Sequence, residues 1–159
     1  MLAQPANAQG ATVTAQDPEG MVALLSLAGY EPELSTDEVG DPRIDLTIAG
    51  YGAAVFFYGC DEQTHAGCDS VQFQTAFDRR EPWSAAEVAT ISSRLRFVSV
   101  WLDEEGDPFV AWDLFTGDGI PSRAFLQTVT NFGDSLEAVA GLVYPDDGSQ
   151  NADVDKAAD

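Results

Sequence analysis

The chain has 159 residues, of which 45% are hydrophobic, enough for one compact core and too little for two ordinary domains. Its 27 acidic side chains face only 7 basic ones, and the formal net charge of −20 repels phosphate backbones and anionic membrane surfaces alike, which argues against nucleic-acid and lipid binding. No stretch approaches the roughly 20 apolar residues of a membrane span, and the charge either serves solubility alone or also steers a basic partner toward the surface.

Residues 1–16 lack periodicity and read as a flexible lead. Within it, Ala6-Asn7-Ala8 has the small-x-small form that signal peptidase cuts, with Gln9 as the first mature residue. An ordinary Ala- and Gln-rich start is the other reading. Asp17-Pro18-Glu19 then supplies an N-cap, a proline for the first helical position and an acid at the positive helix end. Met21, Leu24, Leu25 and Ala28 recur at helical spacing, and Gly29 stops this first helix. Glu31 to Thr36 reads as a strand, and Ile44, Leu46 and Ile48 alternate with Asp45 and Thr47 as a half-buried one. Ala53 to Tyr58 is apolar on both faces and suits the sheet centre; Val71, Phe73 and Phe77 alternate with Gln72, Gln74 and Asp78.

Ser84-Ala85-Ala86-Glu87 is a capping box for a second helix containing Val88, Ile91 and Leu95. Arg96 to Asp103 and Phe109 to Phe115 form a hairpin, and Pro121-Ser122 opens a long third helix with Phe125, Leu126, Val129, Phe132, Leu136, Val139 and Val143 on its apolar stripe. Gly133 lies inside it as a possible bend, and Pro145 ends it. Residues 146–159 hold five aspartates and little to bury, the composition of a disordered acidic tail. The expected fold is α+β, an antiparallel sheet with helices packed on one face in the order α-β-β-β-β-α-β-β-α, over residues 17–145.

Two cysteines, Cys60 and Cys68, sit at the facing ends of consecutive strands. In a reducing cytosol such a pair reads as free thiols or metal ligands. Zinc needs four ligands, and only His65 is a favoured nitrogen donor beside them; the carboxylates Asp61, Glu62 and Asp69 could complete a site, but the spacing matches no known finger. We therefore read a disulfide, and with the signal-like start it points to an exported protein, periplasmic or secreted.

Several local motifs, taken in order, resemble the YbjN family of bacterial domains. They are Gly29-Tyr30, Asp41-Pro42, Val55-Phe56-Phe57-Tyr58-Gly59-Cys60, Cys68-Asp69-Ser70-Val71-Gln72-Phe73, Arg96-Phe97, and Leu102-Asp103-Glu104-Glu105-Gly106-Asp107-Pro108. The resemblance spans about Asp17 to Val143. It implies a fold like that of type III secretion chaperones, which are acidic, often dimeric, and bind extended segments of other proteins. The family carries a label of sensory transduction regulation and brings no catalytic residues. Where its members commonly have Asn and Trp-Asn, this chain has Ser92-Ser93-Arg94, so no role of those polar groups carries over.

Catalytic chemistry finds little support in the residues. His65, with Thr64 beside it and Asp61 nearby, reads as a loop histidine rather than a triad base. Calcium is the stronger metal candidate, at Asp103-Glu104-Glu105-Gly106-Asp107 or Asp146-Asp147-Gly148-Ser149-Gln150-Asn151. Neither stretch has the spacing of an EF-hand loop, and turns explain both. No cofactor and no metal ligand set is assigned. Strand alternation instead sets Phe97, Ser99 and Trp101 opposite Val98, Val100 and Leu102, and Phe109, Ala111, Asp113 and Phe115 opposite Val110, Trp112 and Leu114. Three helices on one face would leave Phe97, Trp101, Phe109 and Phe115 as an aromatic outer surface, unless a loop or the lead covers it. The expectation is a non-enzymatic interaction domain that binds another protein or a second copy of itself as a homodimer. The alternative is a small-ligand or calcium-binding periplasmic module.

Overall fold

The computed structural model describes residues 10–79 and 81–145. The signal-like Ala6-Asn7-Ala8 and the acidic stretch 146–159 lie outside the described residues. The elements are β1 (Thr12–Val13), α1 (Pro18–Leu27), β2 (Glu33–Thr36), β3 (Pro42–Ile48), β4 (Tyr51–Tyr58) and β5 (Ser70–Ala76). They continue with α2 (Ala85–Ser92), β6 (Ser99–Leu102), β7 (Pro108–Phe115), β8 (Ile120–Pro121) and α3 (Ser122–Val143). The expected order is there, with β1 and β8 added as a separate two-stranded pair. The main sheet is six-stranded and antiparallel, in the order β2-β3-β4-β5-β7-β6. Among the described residues, no helix is long and apolar enough to cross a membrane.

All three helices lie against one face of this sheet. Ile44, Leu46 and Ile48 of β3, Val55 and Phe57 of β4, Val71 and Phe73 of β5, and Val110 and Trp112 of β7 are buried on that side. They form one core with Met21 and Leu25 of α1, Ile91 of α2 and the stripe Phe125, Val129, Phe132, Leu136, Val139 and Val143 of α3. Phe73 is the pivot, its ring centroid 5.7 Å from that of Phe125 and 5.8 Å from that of Phe132. Gly133 has a reason beyond backbone freedom. A Cβ there would lie 3.3 Å from both Ala49 Cβ and Ile48 Cγ2, so its absence lets α3 cross the end of β3 closely.

Local capping forms α1 and α2 as the sequence indicates. Gly20 N–H donates to Asp17 Oδ1 at 3.0 Å, with Pro18 opening α1. Ser84 and Glu87 close the capping box of α2: Ser84 N–H donates to Glu87 Oε2 at 2.7 Å, and Glu87 N–H donates to Ser84 Oγ at 3.3 Å. The bonds from the Ser84 backbone and hydroxyl hold the Glu87 carboxyl below its ordinary value of 4.5. A folded-state value depressed in this way contributes stability above the ordinary value, and that contribution is lost as pH falls through the depressed one. Amide exchange in α2 should therefore quicken selectively as the protein is taken from about pH 6 to well below about 4.5, and Glu87→Gln should flatten that dependence. Hydrogen exchange read by NMR, corrected for intrinsic rates, checks it.

The expected flexible lead of residues 1–16 needs correcting over residues 11–16. Val13 and Ala15 are buried. Ser122 N–H donates to Ala11 O at 2.8 Å, Thr14 Oγ1 donates to Gly117 O at 2.7 Å, and Ala15 N–H donates to Thr116 Oγ1 at 2.8 Å. The buried Thr116 hydroxyl in turn donates to Asp69 O at 3.1 Å. A segment with two core side chains shows no period, yet these bonds strap it down.

Candidate functional site

Hydrogen-bonded register places a second set of side chains on the face away from the helices. Across the sheet, Arg43 (β3), Phe56 (β4), Gln72 (β5) and Asp113 (β7) share one row. Tyr58, Ser70 and Phe115 form the next row toward the disulfide, and Ala76, Phe109 and Trp101 form one near the far end. Between them run Glu33, Asp45, Ala54, Gln74, Ala111 and Ser99. None of the three helices lies on this side.

The Trp101 and Phe109 rings stack here, with centroids 5.5 Å apart and an interplanar angle of 19°. Trp101 remains 38% exposed, and Phe115 is 69% exposed on the same face. From residue 109 to residue 115 the strand covers about 20 Å, so Phe115 stands at the opposite end from the stacked pair. Phe97 does not join them, contrary to the expected alternation. It precedes β6, has a left-handed φ of 68°, and stacks on Trp112 of the helix-bearing face at 5.2 Å. The positive φ resets the period, and the ring ends beside Asn131 and Asp134 of α3 with the Arg96 guanidinium 5.0 Å over it.

Sequence reasoning passed over four residues of this face. Arg43 sits 5.1 Å over the Phe56 ring centroid, and its Nε and Nη2 donate to Asp45 Oδ1 at 3.0 and 2.7 Å. Tyr58 is 47% exposed. Burial of part of its ring, then the carboxylates of Asp113 and Asp37, raise its phenol above the ordinary value. The signal was present in the alternation of Phe56 and Tyr58 with Val55 and Phe57, but it became readable only with the cross-strand register.

Cys60 and Cys68 are joined by a disulfide that closes the loop between β4 and β5. Within that loop Asp61 accepts from the backbone of Thr64 and Gln63 and from the Thr64 hydroxyl, which together hold its carboxyl below the usual range. His65 turns away from Thr64, its Nδ1 2.8 Å from Asp41 Oδ1 in the turn before β3. Thr64, His65 and Asp61 therefore do not form a nucleophile–base chain. The acidic turn before β7 brings carboxylate oxygens of Asp103, Glu105 and Asp107 within 4.8 Å of one another. Asp103 Oδ1 accepts from the amides of Glu105 and Asp107 within the turn, and Asp107 Oδ1 accepts from the Arg79 backbone N–H beyond β5 at 2.8 Å, so backbone donors account for the placing of these two carboxylates.

Residues 17–141 match the profile of the YbjN family, described as "Putative bacterial sensory transduction regulator". Among solved structures, the chain is similar to an uncharacterized protein from Methanothermobacter thermautotrophicus. The two share 15% identity with a TM-score of 0.57, over 82% of this chain and 97% of that one. At that identity the likeness concerns the fold. No curated protein matches the chain.

Proposed function

The chain belongs to the YbjN family, a regulatory and non-catalytic one, and on that premise we propose that it is a protein-interaction domain which engages its partner on the open sheet face. The observation that carries this reading is the Trp101–Phe109 stack on a side of the sheet to which no helix contributes. Stacked rings hold their own geometry, so little side-chain entropy is lost when a partner covers them. Exposed apolar surface rimmed by polar side chains such as Gln74 and Ser99 is the usual mark of such a contact. A chaperone-type or regulatory role suits a surface of this kind. The Cys60–Cys68 bond supports a working location outside the cytoplasm, in the periplasm or secreted, where disulfides persist.

Pull-down from extracts of the native bacterium tests the reading. Trp101→Ser should weaken partner binding by about 2 kcal/mol, roughly thirty-fold, the scale of an aromatic hot spot. Its circular dichroism and unfolding midpoint should stay near those of the parent protein. Equal recovery by the two proteins would remove this face from the reading.

A further inference from the structure

We propose that the disulfide end of the open face receives an arginine side chain from an extended segment of the partner protein. This rests on the interaction reading above and adds the chemistry of the partner. The protein already carries the arrangement once, within itself. The Arg43 guanidinium lies over Phe56 at 5.1 Å while Asp45 holds its edge through Nε and Nη2. One strand pair further on, the same two components recur without a cation. Phe115 is 69% exposed and Tyr58 is 47% exposed, flanking Ser70 in one row, with Asp113 in the next row of the same face. Asp113 Oδ1 accepts from Gln72 Nε2 at 2.9 Å, and among the described residues its second oxygen has no hydrogen bond. That oxygen and the two exposed aromatic side chains share one end of the same face.

Charge selects the occupant. The strands β2 to β7 that build the face contain one basic residue, Arg43, in a chain with 27 acidic and 7 basic side chains. Tyr58 lies in the combined field of Asp113 and Asp37. A guanidinium answers each component at once, because its plane stacks on a ring while its edge donates to a carboxylate. Lysine offers a point charge and no plane. A second copy of the chain would bring a net charge of −20 against the same charge. Spacing adds a further constraint. Phe115 and the Trp101–Phe109 stack are about 20 Å apart along β7, so the fitting segment is extended and carries an apolar anchor about six residues from its arginine.

The probe is a synthetic nonapeptide of Gly and Ser with one arginine and one tryptophan six residues apart, titrated into isotopically labelled full chain and followed by amide NMR. Amide shifts should centre on Tyr58, Gln72, Asp113 and Phe115. Citrulline in place of arginine, and Asp113→Asn in the protein, should each weaken binding by about tenfold, as losing a charge-assisted stacked contact does. Glu137→Gln, on an exposed position of α3, should leave it unchanged. The inference is overturned by shifts scattered over acidic surface with Glu137→Gln as harmful as Asp113→Asn. It is equally overturned by no peptide-induced shift at this end while Trp101 still governs partner recovery, which leaves the interaction reading standing. Concentration-dependent shifts of the same amides without peptide would give the face to a second copy and also overturn it. Loss of the Trp101 effect with the peptide result intact would instead strike the reading of the Trp101–Phe109 end.

Discussion

Phe132→Ala is expected to lower the unfolding free energy by about 3–5 kcal/mol, the range for truncating a buried aromatic. Phe132 is fully buried on α3 and meets Phe73 at the centre of the sheet, where Phe125 also packs. The surrounding groups are held by strands on one side and by a 22-residue helix on the other, so the vacated volume cannot close by a small shift. Against a typical total of about 5–15 kcal/mol, the variant should be marginal at 37 °C. Urea unfolding followed by tryptophan fluorescence measures it, with Phe132→Leu regaining most of the loss and Leu142→Ala, at a site 43% exposed, serving as the small-effect control. A loss below about 1 kcal/mol for Phe132→Ala would mean that α3 is not docked through this ring.

The second large effect is expected at the disulfide. In the chain-entropy account, closing the nine residues from Cys60 to Cys68 restricts the unfolded chain by about 2.5 kcal/mol. The folded loop loses little when the bond is cut, because Asp61 N–H still donates to Ala66 O, His65 N–H to Asp61 O and Asp69 N–H to Tyr58 O. The double variant Cys60→Ser, Cys68→Ser should therefore keep the native spectrum and unfold at lower urea by about that free energy, with unchanged dependence on denaturant. Reduced parent protein should match it. A thiol assay that counts two reactive groups in native, air-purified protein would show that the bond is not formed.

Legibility in the sequence followed the range of the interaction. Asp17-Pro18 and Ser84-x-x-Glu87 mark their helices because the capping partners lie within three residues, and both caps form. The cysteine pair was readable because a hairpin joins strands that are adjacent in the chain. The strap at residues 11–15 was not, since Ala15 meets Thr116 across 101 positions and only Val13 and Ala15 turn inward. The outer face was half legible. Trp101, Phe109 and Phe115 followed from simple alternation, whereas Phe97 was misplaced by one left-handed residue that no pattern announces. Arg43, Phe56 and Asp113 come from three strands, and pairwise register, not periodicity, decides that they share a row.

The strap also fixes how the fold answers a mechanical load. A pull on the chain ahead of residue 10 does not reach the six-stranded sheet directly, because among the described residues β1 pairs only with β8. The tension passes from Ala15 to Thr116 and from there to Asp69 O, which accepts from Thr116 N, Gly117 N and Thr116 Oγ1. Asp69 lies between Cys68 of the covalently closed loop and Ser70, the first residue of β5, so the load enters the sheet at strand ends that the disulfide braces. Stretching from that end would peel away the strap first and leave the sheet with its open face intact, like a fuse wired ahead of the circuit it protects.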